Sequence, residues 1–120
     1  MSNFLDNFPI FTNAAMTGDL HSSPINAQVF SLGDVQAVWT GSPVGSLFLE
    51  TSDDPGTVNP DGSVSGLVNW STYTGSATAA GGGAGNFSWH IWANTSRWVR
   101  LSYTFSSGSG TINARANQKE

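Results

Sequence analysis

The chain has 120 residues, a formal net charge of −4 and no cysteine. This length is enough for one domain with a real core, and the lack of cysteine excludes a disulfide framework and a thiolate metal site. All four basic residues lie at or after Arg97, so the basic patch that nucleic-acid binding requires is missing. No apolar run approaches the roughly 20 residues of a membrane span, and we expect no secretory signal at the N-terminus.

Residues 1–25 do not share the pattern of the rest of the chain. Their apolar spacing fits neither a helix nor a strand, and Pro9 interrupts any helix there. A segment this apolar has to be buried. It either folds over its own sandwich as an edge strand or extends as an arm onto a neighbouring subunit. We therefore separate an N-terminal arm, residues 1–25, from a β-sandwich domain, residues 26–120.

Short strands dominate the sequence from Ile25 onward. Turn-forming residues separate the runs that favour strands, and the spacing of these turns is typical of an antiparallel sandwich. The predicted strands are 28–32, 34–40, 45–52, 67–73 and 86–92, the second and third of which are predicted to pair as a hairpin. Residues 53–66 form a long loop rich in turn formers. Residues 75–85 are small, and they are predicted to form a weak strand followed by a glycine loop.

The segment Arg97–Asn117 has the clearest strand signal. Side chains alternate between two faces with period two, and a Ser/Gly turn at 106–110 divides the segment into two strands. The inward rows are predicted to be Val99, Leu101, Tyr103 and Phe105, then Ile112, Ala114 and Ala116. We predict a closing β-hairpin here and, for the whole chain, an all-β fold: a single antiparallel β-sandwich of 7–8 strands with an extended N-terminal arm.

No catalytic constellation is apparent in the sequence. The two histidines, His21 and His90, lie outside the known catalytic motifs, and an active site would need a pocket that joins His90 to a carboxylate. We predict that the chain is not an enzyme and uses no cofactor. The loop acids Asp53, Asp54 and Asp61 are weak candidates for a calcium site, because their spacing is not that of an EF-hand and turn formation explains the same residues.

Five tryptophans in a small domain have two explanations. Exposed aromatic faces can stack on sugars, whereas buried aromatic side chains fill a core or a subunit interface. Trp39 and Trp89 fit the core, while Trp92 and Trp98 lie opposite the apolar rows and are predicted to be exposed or interfacial. Together with the arm, they make up the predicted interface: Phe4, Phe8, Ile10, Phe11, Trp92 and Trp98.

Three segments carry a resemblance to a known family. They are VQAVWTGSPVGSLFLETSDD, NWSTY and RWVRLSYTFSSGSGTINARANQKE, and they resemble the short β-rich structural proteins that tailed and other double-stranded DNA bacteriophages encode. The resemblance covers about residues 34–120. Its motifs are a strand ending in W-T/S-G, a G-x-L-x-L-x-x-S strand, a tryptophan strand, and a closing R-W/Y-V/I-R-L-x-Y-T and S-G-x-G-T-L/I-N pair.

This resemblance implies a jelly-roll or discoidin-like sandwich and a place in the virion. The protein would be a capsid decoration, minor capsid, fibre or tail component, assembled in the host cytoplasm. Its partners would be copies of itself, in a trimer or ring, and other virion proteins. The family supplies no catalytic residues. The competing interpretation is a carbohydrate-binding module whose sandwich rim recognises a glycan on the host surface.

Overall fold

The computed structural model describes residues 5–26, 32–73, 75–92 and 97–119. The elements in these ranges are β1 (Leu5–Ala15), β2 (Leu20–His21), β3 (Ile25–Asn26), β4 (Leu32–Gly41), β5 (Val44–Ser52), β6 (Thr57–Val58), β7 (Val64–Ser65), β8 (Ser71–Thr72), β9 (Thr78–Gly81), β10 (Gly85–Trp92), β11 (Trp98–Ser107) and β12 (Gly110–Lys119). Seven of these described strands are longer than two residues. This part of the chain contains no helix able to cross a membrane.

The strands form two antiparallel sheets and one small ribbon. Sheet A has the order β1-β12-β4-β10. Sheet B is built on the pair β11 and β5, with β2 and β3 beside β11, and β8 and β9 beside β5. The ribbon pairs β6 with β7. This arrangement is the predicted all-β antiparallel sandwich.

The core lies between the two sheets and follows the alternation of side chains along the long strands. Burial of apolar surface at roughly 25 cal/mol per Å² makes these rows the main stabilising contribution. Six of the seven predicted inward residues are at most 1% exposed: Val99, Leu101 and Tyr103, then Ile112, Ala114 and Ala116. The seventh, Phe105, is only partly buried and packs against the edge of this core. The opposing rows come from β4, with Val35, Ala37 and Trp39, and from β5, with Leu47 and Leu49.

The described part of the N-terminal segment is an edge strand of the same sandwich. β1 pairs with β12 from Leu5 opposite Lys119 to Ala15 opposite Thr111, and thereby satisfies backbone groups of β12 that would otherwise be bare. β2 and β3 then pair with β11 in sheet B. Of the two alternatives for this segment, the structure contains the first. Within the single chain, the described strands on both sides of the predicted boundary at residue 25 belong to the same two sheets.

Both predicted hairpins are wrong, because each connection crosses from one sheet to the other. β4 lies in sheet A and β5 in sheet B, while β11 lies in sheet B and β12 in sheet A. The two crossings are adjacent, and the Ser42 N–H donates to the Ser109 carbonyl over 2.8 Å. Gly108, with φ +78°, approaches the Ser42 backbone too closely for a Cβ. Period-two alternation is the same for a hairpin in one sheet and for two strands that face each other across a core.

The predicted long loop, residues 53–66, folds back over the outer face of sheet B together with residues 67–70, which are predicted as strand but lie outside β8 (Ser71–Thr72). We call residues 53–70 the cover loop. The Trp98 indole Nε1 donates to the Asp54 carbonyl over 3.0 Å, and Trp98 is only 2% exposed. A Cβ on Gly56 would lie 2.9 Å from Leu67 and 3.5 Å from the Trp98 ring, so the cover loop packs closely here. The result is a second, smaller apolar cluster on the polar side of sheet B.

Candidate functional site

The predicted interface residues do not form one exposed patch in the described structure. Ile10, Phe11 and Trp98 are 7%, 8% and 2% exposed within the single chain, so the chain's own strands and loops already cover them. The physical reason is the pairing of β1 with β12 and the packing of the cover loop on Trp98. Phe4 lies outside the described residues, and so do the side chains of Phe8 and Trp92.

Asp54, one of the weak metal candidates, holds the cover loop together. Its carboxylate accepts a hydrogen bond from the Asn69 side-chain amide at 3.0 Å and from the backbone N–H groups of Asn69 and Val68 at 2.8 Å each. These hydrogen bonds favour the ionised form and lower its pKa to about 2. The carboxylate therefore joins the two ends of the cover loop.

The other two metal candidates act in the same manner. Asp61 accepts hydrogen bonds from the Ser63 hydroxyl at 2.6 Å and the Ser63 N–H at 3.0 Å, which hold its pKa below the ordinary value. Asp53 accepts the Arg97 N–H at 3.2 Å. Within the described ranges, no three His, Cys, Asp or Glu side chains are grouped as metal ligands. Each of the three acids therefore accepts at least one backbone N–H group, which is the usual contact of Asp in a turn.

A network of five side chains lies on the outer face of sheet B. At its centre is Glu50, whose Oε1 accepts hydrogen bonds from Arg100 Nε at 2.9 Å and from the Ser102 hydroxyl. Arg100 also lies over the Trp70 ring, 4.2 Å from its centroid. His21 Nδ1 is 2.8 Å from Ser102 Oγ and 3.7 Å from Glu50 Oε1. The sheet register produces this cluster, because Glu50 lies directly opposite Arg100.

The hydrogen bonds and charges of this network favour the ionised form of Glu50. Burial alone would raise the pKa of Glu50, but hydrogen bonds from Ser102 and Arg100, with the charges of Arg100 and His21, outweigh it and lower the pKa. Because the Ser102 hydroxyl donates to Glu50, His21 donates its Nδ1–H to that hydroxyl. A nucleophilic serine has the opposite order, since its hydroxyl donates to the imidazole. Ser102 is also fully buried.

An open cleft of about 250 Å³ lies beside β10, where sheet B no longer covers the inner face of that strand. It is lined by Leu49, Tyr73, Gly75, Ser76, Phe87, Ser88, Trp89 and His90. Phe87 faces the same side as the core residue Trp89, yet it is 39% exposed. The two rings meet edge to face with centroids 5.0 Å apart.

Hydrogen bonds fix the inner wall of this cleft. Trp89 Nε1 donates to the Ser76 carbonyl over 2.6 Å. The buried Ser76 hydroxyl lies 3.0 Å from the Leu49 N–H and 3.3 Å from the Leu49 carbonyl. The cleft thus combines a rigid aromatic wall with nearby hydroxyl groups, which suits a small ligand that has one apolar face and several polar groups.

His90 is paired with a carboxylate at the rim of this cleft. Its Nδ1 lies 2.8 Å from Asp34 Oδ1, and the two residues are directly opposite on β10 and β4. The side chains are 56% and 44% exposed. An imidazole held by a carboxylate is one part of a catalytic arrangement, and here both side chains are partly exposed to water on the outer face of sheet A.

Sequence reasoning missed the cleft, although it placed Phe87 and Trp89 correctly on one face of a strand. Exposure of Phe87 depends on how little of sheet B lies opposite β10. The strands there, β8 and β9, have two and four residues. The available signal was the run of small residues at 75–85, which predicts a weak strand and thus incomplete cover for the aromatic face that follows it.

Several solved structures are similar to this chain, among them two proteins of prophage origin. The SPBc2 prophage-derived protein YomS matches with a TM-score of 0.55 and 13% identity over 98% of both chains. The PBSX exported protein XepA matches with a TM-score of 0.59 and 17% identity, over 98% of this chain and 38% of XepA. At these identities the likeness shows the fold alone. No protein-family model matches the sequence, and no curated protein does.

Proposed function

We propose that this chain is a non-catalytic structural protein of a bacteriophage virion. It is a capsid decoration, minor capsid, fibre or tail component, and it acts by assembling with copies of itself and with other virion proteins. The observation that carries the proposal is the match to YomS, a prophage-derived protein, over 98% of the length of both chains. The motifs shared with phage structural proteins across residues 34–120 point the same way.

The geometry restricts which surfaces can take part in assembly. Ile10, Phe11 and Trp98 are already buried in the single chain, so they offer no area to a neighbour. The cover loop occupies the outer face of sheet B around Trp98 and Arg100. The exposed outer face and the edges of sheet A remain, where Val38 is 46% exposed.

The test is whether the protein is a component of particles. Particles would be purified by density gradient from a lysate of the phage or lysogen that encodes the chain, and their peptides identified by mass spectrometry. We expect peptides of this chain at a constant ratio to the major particle proteins across the gradient peak. Recovery only in the soluble fraction, with intact particles lacking the chain, would overturn the proposal.

A second candidate function is a carbohydrate-binding module that attaches to a glycan on the host surface. The observation that favours it is the cleft with the exposed Phe87 ring beside Trp89. A glycan array would be probed with the wild type, Phe87→Ala and a control, Val38→Ala. Val38 is as exposed as Phe87 but lies on the outer face of sheet A. Binding that disappears only with Phe87→Ala supports the cleft, whereas equal binding by all three proteins excludes it.

A further inference from the structure

The outer strands of the two sheets differ in how well they resist pairing with another chain. Edge strands present unpaired N–H and C=O groups, and proteins protect them with proline, bulges, charge or short length. β1 has Pro9, two register shifts and Asn13 at φ +47°. The outer strands of sheet B have two to four residues each.

β10 has none of these protective features. It is eight residues long and pairs with β4 in one uninterrupted register, from Gly85 opposite Trp39 to Trp92 opposite Leu32. Its sequence, GNFSWHIW, contains no proline and no Asp, Glu, Lys or Arg. Among the strands that the structure describes, β10 pairs with β4 alone. It is therefore the long, regular, uncharged edge on which strand addition is expected.

We propose that a second copy of this chain docks on this edge, with the two β10 strands pairing antiparallel about a two-fold axis. The two four-stranded sheets A then become one continuous sheet. This inference rests on the premise of the proposed function that the chain assembles with itself. It adds which strand makes the contact and which symmetry the contact has.

Charge and exposed apolar area favour a copy of the same chain as the partner. The chain as a whole carries a net charge of −4, which opposes self-association in general, but residues 85–89 carry no charge, so pairing them with themselves brings no like charges together. A two-fold axis perpendicular to the sheet also keeps the core-facing sides of both copies on the same side of the joined sheet. The partly exposed Phe87 of each copy then lies next to the core-facing side of the other copy's β10, where it loses contact with water.

The two-fold symmetry makes a definite prediction for cross-links. In an antiparallel pair, two residues that lie directly opposite each other have their side chains on the same face of the sheet. When the two strands are identical, this requires the two-fold axis to pass between the two copies of the residue at one position. If that position is 86 or 88, a single cysteine there meets its own copy. If it is 87, residue 86 of one chain meets residue 88 of the other. The natural chain has no cysteine, so Asn86→Cys, Ser88→Cys and the double variant report the register without background.

Two matched controls separate the edge from the sheet face. Val38→Cys and Gln36→Cys lie directly opposite Asn86 and Ser88 on β4, on the same exposed face but one strand further in. Across a β10–β10 contact the β4 positions are three strand spacings apart, about 14 Å. That distance exceeds the roughly 7 Å limit between the Cα atoms of a disulfide. The controls should therefore remain monomeric on a non-reducing gel.

The experiment is mild oxidation of the purified full chain, with light scattering of the unoxidised protein at rising concentration. We expect a concentration-dependent dimer and a disulfide-linked dimer from at least one β10 variant, several-fold above both β4 controls. Ser88→Lys should shift the protein to monomer, whereas Gln36→Lys should not, with far-UV circular dichroism to show that both are folded.

Three results would overturn the inference. They are a protein that stays monomeric at all concentrations, cross-links at Gln36 as strong as those at Ser88, and a dimer unaffected by Ser88→Lys that gives no β10 cross-link. If the protein were present in purified particles and yet gave any of these results, the inference would fail while the proposed function stood.

Discussion

Replacement of Trp98 by alanine tests whether this side chain stabilises its own chain or a contact with another subunit. The residue is 2% exposed within the single chain. Its indole N–H donates to the Asp54 carbonyl over 3.0 Å, and the Arg97 guanidinium lies 5.9 Å from the ring centroid. The hydrogen bond to Asp54 and the packing of Gly56 beside the ring tie the cover loop to sheet B, so we expect Trp98→Ala to destabilise the monomer itself.

The expected loss follows from the burial of the side chain. Truncation of a buried tryptophan to alanine typically costs about 3–5 kcal/mol. The lower end, about 3 kcal/mol, is appropriate here because the cover loop is a surface segment that can partly collapse into the space. A domain of this size has a total stability of roughly 5–15 kcal/mol, so the variant should still fold but with much less reserve. Trp98→Phe, which keeps a ring and loses the N–H donor, should cost about 1 kcal/mol.

The assay is urea denaturation followed by far-UV circular dichroism, because the variants remove one of the five tryptophans that a fluorescence assay would depend on. Light scattering on the same samples gives the oligomeric state. Val68→Ala is the control, since Val68 lies in the same loop but is 78% exposed. Its effect should stay within about 0.5 kcal/mol.

The opposite pattern would refute the reasoning. If Trp98→Ala left the midpoint of monomer unfolding where the wild type has it and only abolished an oligomer, then Trp98 would be an interface residue. The packing of the cover loop on this ring would then not describe the protein in solution.

Three further predictions concern charge and backbone conformation. Folding lowers the pKa of Glu50 below its ordinary value of 4.5, so the ionised carboxylate stabilises the fold above that pH. This contribution disappears as the pH falls through the folded-state pKa. The difference in unfolding free energy between wild type and Glu50→Gln should therefore be largest near pH 7 and shrink in acid. For Asp54→Asn the same difference should vanish between pH 3.8 and about 2. Gly108→Ala should destabilise far more than Gly75→Ala, because both glycines have positive φ but only Gly108 meets backbone atoms.

Each of these predictions has an outcome that contradicts it. A pH profile of the Glu50→Gln difference that is flat from pH 7 to 3 would mean that the network does not stabilise the ionised carboxylate. For Asp54→Asn, hydrogen exchange of the Val68 and Asn69 amides should accelerate. Unchanged exchange rates would show that the Asp54 carboxylate does not hold the loop in place. Equal thermal midpoints for the two glycine variants would show that the crossings near Ser42 are looser than the structure has them.

The fold class could be predicted because the alternation of apolar and polar residues along a strand is visible in that strand's own sequence, without knowledge of its neighbours. Rows such as Val99–Tyr103 on β11 and Ile112–Ala116 on β12 are visible as a period of two, and they are buried as predicted. Which strands pair is a different matter. Nothing in the residues around Gly108 distinguishes a turn within one sheet from a crossing between two, since both need the same small, flexible residues.

The burial of Trp98 within its own chain was not predicted, for an equally physical reason. Alternation correctly put this residue on the face opposite Val99, and exposure was inferred from that face. The inference missed the cover loop, because a stretch of Asp, Pro, Gly and Ser shows turns but does not show where they lead. A single carboxylate, that of Asp54, folds the loop back by binding Val68 and Asn69. Such a contact, across 14 and 15 residues, has no periodic signature.

The asymmetry between the two outer faces bears directly on how the chain can assemble. On sheet B, the cover loop buries Trp98, and Trp70 stacks on Arg100, so this face is closed by the chain's own residues. On sheet A, the outer positions of β4 and β12 remain exposed, with Val38 at 46%. A contact that began on sheet B would first have to displace the loop and its hydrogen bonds, whereas one at β10 only adds backbone hydrogen bonds. Among the strands that the structure describes, β10 pairs only with β4, so the proposed addition of a second copy at β10 leaves the folded chain intact.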